Sequence, residues 1–289
     1  MAFELSVSAP GADYAAPVLD VIDRALEEDL GGGDLTSAAV VPEHSRAAGR
    51  IEQREAGVVW GLAVAEAVYE RIDPSLRWQA HAADGEAGAP RPVAEVTGAA
   101  RSVLAGERVA LNFLQRLSGV ATLTARYVRA VEGTGAQILH TRKTTPGLRA
   151  LEREAVLGGG GHGHRTGLFD AILVKENHSA LAGGVGAATR AALSAAPEGV
   201  WVEVECTSLA EVDEALDAGA GLILLDNMEL AEMGEAVGRA AGRALCEASG
   251  GITLDGVRDV AETGVERISV GALTHSAPAL DLGLLVNPL

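Results

Sequence analysis

VWVEVECTSLAEVDEALDAGAGLILLDN, residues 200–227, decides the fold. Two short and almost wholly apolar runs, VWVEVEC and GLILLDN, flank one helical pattern, LAEVDEALDAG. A strand that is apolar without alternation is buried on both faces, as parallel strands covered by crossover helices are. The same rhythm recurs to either side in QILHT (137–141), DAILVK (170–175), RALCEAS (243–249) and RISVGAL (267–273), with helical patterns between most of them. Repeated strand–helix units predict an α/β domain with a parallel sheet, either open and doubly wound or curled into a barrel. No G-x-G-x-x-G follows the first strand. Polar residues close nearly every strand: Arg142-Lys143, Lys175, Glu205, Asp226-Asn227, Ser249 and Gly271. Contributions from the C-terminal ends of several strands favour a barrel with its site at that mouth.

Upstream the rhythm differs. Residues 1–16 show no period and read as an irregular lead-in. Pro17 opens a helix with Val18, Val21, Ile22, Ala25 and Leu26 on one face, and Gly31-Gly32-Gly33 stops it. Residues 46–60 read as one or two strands, 61–72 as a helix, and Val93–Val96 with Ala100–Leu104 as a hairpin. The first 105 or so residues are thus expected to form an α+β unit on a small antiparallel sheet. A long amphipathic pattern, ERVALNFLQRLSGVATLTARYVRAVEG, follows at 107–133, and Ser118-Gly119 is expected to break it in two.

The 289 residues include 23 basic and 40 acidic side chains, a net charge of −17. That excess of negative charge argues against nucleic acid or an anionic membrane surface as partner. One stretch runs against it. Residues 140–175 hold the cations Arg142, Lys143, Arg149, Arg153, Arg165 and Lys175 against the acids Glu152, Glu154 and Asp170, a positive island suited to an anionic small molecule. Cys206 and Cys246 sit in separate apolar runs without metal-type spacing and read as reduced, buried thiols. MAFELSVSAPG lacks the basic and apolar regions of a secretory signal, and no apolar run approaches about 18 residues. A soluble, cytoplasmic protein is expected.

Strand parity singles out individual residues. In WVEVEC, Glu203 and Glu205 share one face and Val202, Val204 and Cys206 the other. Two carboxylates on one face of a central strand are expensive unless paired or placed at a mouth. Glu205, nearer the C-terminal end, is the better candidate for chemistry. Asp226 closes its strand and could instead cap the next helix. Arg142 and Lys143 stand at one strand end, with Arg165 before the next strand and Lys175 at its end. Lys175 could snorkel out of the core, meet a ligand, or act as a desolvated nucleophile. Ser249-Gly250-Gly251 after one strand, with Gly271 after its neighbour, occupies the usual phosphate position of a barrel. Gly158–Gly161 with His162-Gly163-His164-Arg165 is a loop that can either approach an anion or fold over a substrate. His162 and His164 have neither the cysteines nor the helical spacing that a metal site calls for.

Together these blocks resemble quinolinate phosphoribosyltransferases. The blocks are RKTTPGLR at 142–149, His164-Arg165-x-Gly-Leu, KENH at 175–178, VEVE at 202–205, LDNM at 225–228, ASGGI at 248–252 and SVGALTHS at 269–276, with ERVALNFLQRLSG at 107–119 upstream. The resemblance spans essentially the whole chain. It implies a mixed α/β protein: an N-terminal α/β sandwich domain over 1–115, an incomplete parallel α/β barrel over 116–274, and a tail, 275–289, able to pack on the first domain. It implies transfer of phosphoribosyl from phosphoribosyl pyrophosphate to quinolinate with decarboxylation, in de novo NAD synthesis. By the same resemblance Arg108, Arg142, Lys143, His164, Arg165 and Lys175 would bind the substrates' carboxylates and phosphates. Glu205 and Asp226 would hold the ribose and a Mg²⁺–pyrophosphate, and Ser249, Gly250, Gly251 and Gly271 the 5-phosphate. Glu205, Asp226, Lys143 and Lys175 are the candidate catalytic residues. A homodimer, or a multiple of dimers, is implied, with Arg108 crossing to the neighbouring site. Gly163 stands where the family usually has Asn, and Glu176 where Asp is common. The alternatives are a paralogue acting on another pyridine or azole, and an aldolase-like barrel using Lys175 as a Schiff base.

Overall fold

The structure is a computed structural model that describes residues 16–289. The irregular lead-in expected over residues 1–16, and with it the reading of MAFELSVSAPG, falls outside the described residues except for Ala16, where α1 begins. The chain divides into two compact units: one takes the residues up to Ala125 with Thr144–Gly160 and Ser276–Leu289, the other Arg126–Lys143 with Gly161–His275.

The first unit carries α1 (Ala16–Leu30), α2 (Leu35–Val40), β1 (Arg46–Gln53), β2 (Gly57–Val59), α3 (Leu62–Ile72), β3 (Arg77–Ala80), β4 (Glu86–Gly88), β5 (Arg91–Ala99) and most of α4 (Ala100–Ala130). The side chain of Asp34 caps α2 by accepting the Ser37 N–H at 3.0 Å. Asp84 accepts the Gly61 and Leu62 N–H groups at 2.7 and 2.9 Å, capping α3 from another part of the chain. β1 alternates between solvent and core residue by residue, which an antiparallel sheet with one covered face requires. Ile51, Val59, Leu62, Val93, Leu111, Leu114, Leu280 and Leu282 form a core in this unit.

Two expectations are corrected by this unit. Ala100–Leu104 is no hairpin arm but the start of α4, and α4 runs unbroken to Ala130. Ser118 and Gly119 serve packing rather than a break. The Ser118 hydroxyl accepts the Trp60 N–H at 2.9 Å and donates to the Trp60 carbonyl at 3.1 Å. A Cβ on Gly119 would run into the Pro278 carbonyl.

The second unit carries β6 (Gln137–Leu139); the chain then returns to the first unit for α5 (Arg149–Gly158). The rest of the second unit is β7 (Ile172–Val174), α6 (Glu176–Ala182), α7 (Val185–Ala195), β8 (Val202–Cys206), α8 (Leu209–Asp217), β9 (Leu222–Asp226), α9 (Leu230–Ala240), β10 (Leu245–Ser249), α10 (Val257–Glu262), β11 (Arg267–Ser269) and α11 (Ala272–His275). Its six strands pair in parallel in the order β6-β11-β10-β9-β8-β7. β6 and β7 stand at opposite ends of that order, so the ring is an incomplete barrel. The last strand, β12 (Leu282–Pro288), belongs to the first unit, pairing antiparallel with β1 to complete the sheet β12-β1-β5-β3. No helix among the described residues is long and apolar enough to cross a membrane.

Alternation and register fix what the barrel strands present. Glu205 pairs with Leu224, Leu224 with Glu247, and Asp226 with Ser249. With side chains alternating along each strand, Glu203, Glu205, Leu224, Asp226, Glu247, Ser249 and Ser269 share one face. Val204, Cys206, Ile223, Leu225, Cys246, Ala248 and Ile268 fill the other and are buried.

Candidate active site

The polar face of the barrel strands meets the chain at its C-terminal ends. Lys175 leaves β7 as the first residue before α6, with its side chain 48% exposed. Its Nζ donates to Glu205 Oε2, and Glu205 is itself buried. The lysine is thus neither snorkelling freely nor isolated; it faces a carboxylate on the neighbouring strand. His178 Nδ1 accepts the Lys175 N–H at 2.9 Å, which fixes the backbone at this corner.

Asp226 stands at the end of β9, half-buried. It does not cap α9. Glu229 does so, in a capping box with Glu232. Asp226 instead accepts from Asn227 Nδ2 at 2.7 Å. Asn227 is one of two described non-glycine residues with positive φ, at 55°, and its N–H donates to the Ser249 carbonyl at 3.0 Å. Gly250 has φ +97°, and a Cβ there would overlap the Asn227 side chain. Only glycine therefore lets the Ser249-Gly250-Gly251 turn close against the Asp226-Asn227 corner. Across β11, a Cβ on Gly271 would lie 3.1 Å from both Lys143 Cδ and His275 Nε2. Thr274 Oγ1 donates to the Lys143 carbonyl at 2.7 Å, so Lys143 is tethered beside Gly271.

The segment before β7 is tied to the barrel in a way the sequence did not disclose. Asp170 closes the turn by accepting from Thr166 N–H and Oγ1, both at 2.7 Å, and from Gly167 N–H at 3.0 Å. Arg165 is buried, 7% exposed. Burial and the nearby Arg142 pull its guanidinium below the usual arginine range, while Glu203, Asp170 and Glu205 oppose them. His164 turns into the barrel face. Its Nε2 lies 3.1 Å from Glu203 Oε2 and 3.2 Å from Glu247 Oε1, both acids being fully buried. The Ser269 hydroxyl donates to Glu247 Oε1, and the Trp201 ring meets His164 edge-on at 5.3 Å. His164 N–H donates to His140 Nε2 at 3.1 Å.

The protonation of this cluster follows from geometry. Burial opposes the imidazolium, but hydrogen bonding and charge from Glu203 and Glu247 outweigh it and push His164 up to about 9. The Arg165 N–H, however, donates to His164 Nδ1 at 2.7 Å, which requires a lone pair on that nitrogen. These two indications conflict, and the hydrogen bond decides, because an imidazolium would set two donors face to face. The ring is the neutral tautomer with its proton on Nε2, which stands 3.1 Å and 3.2 Å from the two carboxylates. Burial raises Glu203, so that carboxyl is the natural holder of a further proton. One imidazole and two carboxylates could hold a metal by spacing alone, their ligand atoms lying within 4.8 Å of one another. With its proton on Nε2, the ring offers these carboxylates an N–H rather than a lone pair for a metal.

The structure thus brings Lys175 to Glu205, Arg165 into the field of Arg142 and Glu205, Lys143 to Gly271, and Asp226 to the Ser249–Gly251 turn. Arg108 lies exposed on α4 in the first unit. Glu247 and Ser269 were missed by sequence reasoning. The parity argument used on β8 would have found Glu247, since LCEAS also places an acid inside an apolar strand.

A family profile for the N-terminal domain of quinolinate phosphoribosyl transferase matches residues 34–118, and one for its C-terminal domain matches residues 120–285. The chain is 44% identical over 272 residues to nicotinate-nucleotide pyrophosphorylase (carboxylating) of Mycobacterium leprae, covering 92% of this chain and 95% of that one. It is 40% identical over 306 residues to quinolinate phosphoribosyltransferase (decarboxylating) 1 of Nicotiana glauca, covering 99% and 87%. The crystal structure of NadC from Streptococcus pyogenes matches with a TM-score of 0.91 at 39% identity, over 96% of this chain and all (100%) of that one. The chain belongs to the quinolinate phosphoribosyltransferase family.

Proposed function

We propose, from that family membership, that this chain is a decarboxylating quinolinate phosphoribosyltransferase. It joins the quinolinate ring nitrogen to C1 of phosphoribosyl pyrophosphate, breaks the bond from C1 to the pyrophosphate oxygen, and releases one ring carboxylate as CO₂, the ring carbon keeping the electron pair of the broken bond and taking up a proton from solvent. The products are nicotinate mononucleotide, pyrophosphate and CO₂, as de novo NAD synthesis requires. The observation that carries this reading is one face at the barrel's strand ends on which Lys175 pairs with Glu205 and Arg165 lies in the field of Arg142 and Glu205. Such an array meets both demands of the reaction. Arginines suit a dicarboxylate bidentately. Carboxylates suit the positive charge that develops on the ribose as pyrophosphate leaves.

Arg142 and Arg165 take the acceptor's carboxylates, with His164 setting Arg165 in place and Arg108 reaching in from a second subunit of a homodimer. Lys143 and Lys175 take the pyrophosphate charge. Glu205 faces the ribose, and the Ser249–Gly251 turn with Gly271 receives the 5-phosphate. Glu205 and Asp226 offer hard carboxylate oxygens on adjacent strands, a donor set that fits Mg²⁺ carried with the pyrophosphate. The ion would neutralise charge on the leaving group. Cytoplasmic placement accompanies this reading. The test is release of pyrophosphate and CO₂ from quinolinate plus phosphoribosyl pyrophosphate, with and without Mg²⁺, beside a parallel reaction on nicotinate. Release with quinolinate only, dependent on Mg²⁺, is expected. Turnover of nicotinate alone would assign a different acceptor.

A further inference from the structure

We propose that Glu247, together with Glu203, is a positioning residue that fixes His164 and, through it, the Arg165 guanidinium for the acceptor's carboxylate. The proposal rests on quinolinate being the acceptor. Both acids are fully buried inside their strands, flanked along the chain by Val202 and Val204 in one and by Cys246 and Ala248 in the other. Burying a carboxylate there costs several kcal/mol unless it is paired, and a leucine in its place would pack without that cost. What the acids do instead is hold one ring.

Each polar group of that ring is engaged. Its Nε2 lies between Glu203 and Glu247, its Nδ1 accepts the Arg165 N–H, and its own backbone N–H donates to His140. Ser269 anchors Glu247 from the next strand. The chain Ser269–Glu247–His164–Arg165 thus ties the segment before β7 to β10 and β11. That segment follows four glycines, Gly158–Gly161, which supply no side chains to hold it. Arg165 is buried behind this contact, and Glu203 offsets part of its burial. If the ring lets go, the N–H of Arg165 loses its acceptor and the guanidinium its fixed base. A misplacement of about 1 Å in a substrate-positioning group can cost on the order of 100-fold.

The experiment compares Glu247→Leu and Glu247→Gln in the full chain, measuring KM and kcat for quinolinate and for phosphoribosyl pyrophosphate separately. Glu247→Leu should raise KM for quinolinate about tenfold or more with KM for phosphoribosyl pyrophosphate little changed. Glu247→Gln keeps an acceptor for Nε2 and should recover most of the loss. Equal changes in both KM values, or none, overturn the proposal. Should Glu247→Leu not fold, Ser269→Ala removes the anchor instead and should raise quinolinate KM severalfold; no change there is equally fatal. A substrate-free readout separates this role from the overall activity. Imidazole ¹⁵N spectra, assigned with His164→Asn, should show His164 as the Nε2–H tautomer in the wild type. An Nδ1–H or averaged ring overturns the positioning role even if quinolinate is turned over. A fixed ring in a chain that ignores quinolinate overturns the assigned acceptor, and with it the role of Glu247.

Discussion

Glu152 lies at the centre of the first unit's polar interior, and its removal should be among the most damaging single changes there. The carboxylate is fully buried. Its Oε1 accepts from Arg116 Nε at 3.1 Å, from an Arg116 terminal nitrogen at 2.8 Å and from Thr145 Oγ1 at 2.8 Å; Oε2 accepts the Thr145 N–H at 3.0 Å. Glu152→Ala leaves the Thr145 hydroxyl and N–H without this acceptor and strips the Arg116 guanidinium of its carboxylate, although one terminal nitrogen keeps the Ala277 carbonyl at 3.0 Å. Removing one partner of a buried pair costs about 3–5 kcal/mol. Arg116 keeps 26% of its side chain exposed and can recover some hydration, which favours the lower end, about 3 kcal/mol. At roughly 2–4 °C per kcal/mol for a unit of this size, the melting temperature should fall by roughly 6–12 °C. Glu262→Ala is the control. Its partner Arg258 sits one helical turn away on an exposed surface, with side chains 48% and 57% exposed, and such pairs contribute only about 0.3–0.5 kcal/mol. Chemical denaturation of both variants, with an Arg116→Ala double-mutant cycle, gives the numbers. A Glu152→Ala loss no larger than the control's would refute the reasoning, because it would mean the four hydrogen bonds stabilise nothing beyond hydration.

Glu205→Ala should lower kcat about 100- to 1,000-fold while raising KM for quinolinate only slightly, since the carboxylate serves the ribose rather than the acceptor; steady-state kinetics on both substrates decide it. Gly250→Ala should raise KM for phosphoribosyl pyrophosphate at least tenfold, measured against an unchanged quinolinate KM, because a Cβ at φ +97° collides with Asn227. Cys206 and Cys246 are pushed up to about 12 and about 11, in each case chiefly by burial, and so remain thiols through the neutral range. Raised folded values mean the contribution to stability is full below the unfolded thiol range and is lost as pH climbs through 11 to 12. Thiol titration at pH 8 should find neither cysteine in the native protein and both after denaturation; rapid native labelling would contradict their burial.

Much of this molecule could be read from its order of residues. The near-continuous apolar runs that alternate with helical patterns determined the parallel six-stranded unit, because a strand covered on both faces leaves no polar side to write into the sequence. Lys175, Glu205, Asp226 and Gly271 were legible because polar groups at the ends of such strands have few structural reasons to be there. The unbroken α4 was not legible. Ser118 and Gly119 look like a break, and their value lies in contacts with Trp60 and Pro278, far away in the chain. Nor was the tautomer of His164, or its grip on Arg165. The sequence holds Glu203, Glu247, Ser269 and His164 at separations that say nothing of one another. Only the register of neighbouring strands brings them to one ring, and only three-dimensional hydrogen-bond geometry decides which nitrogen carries the proton.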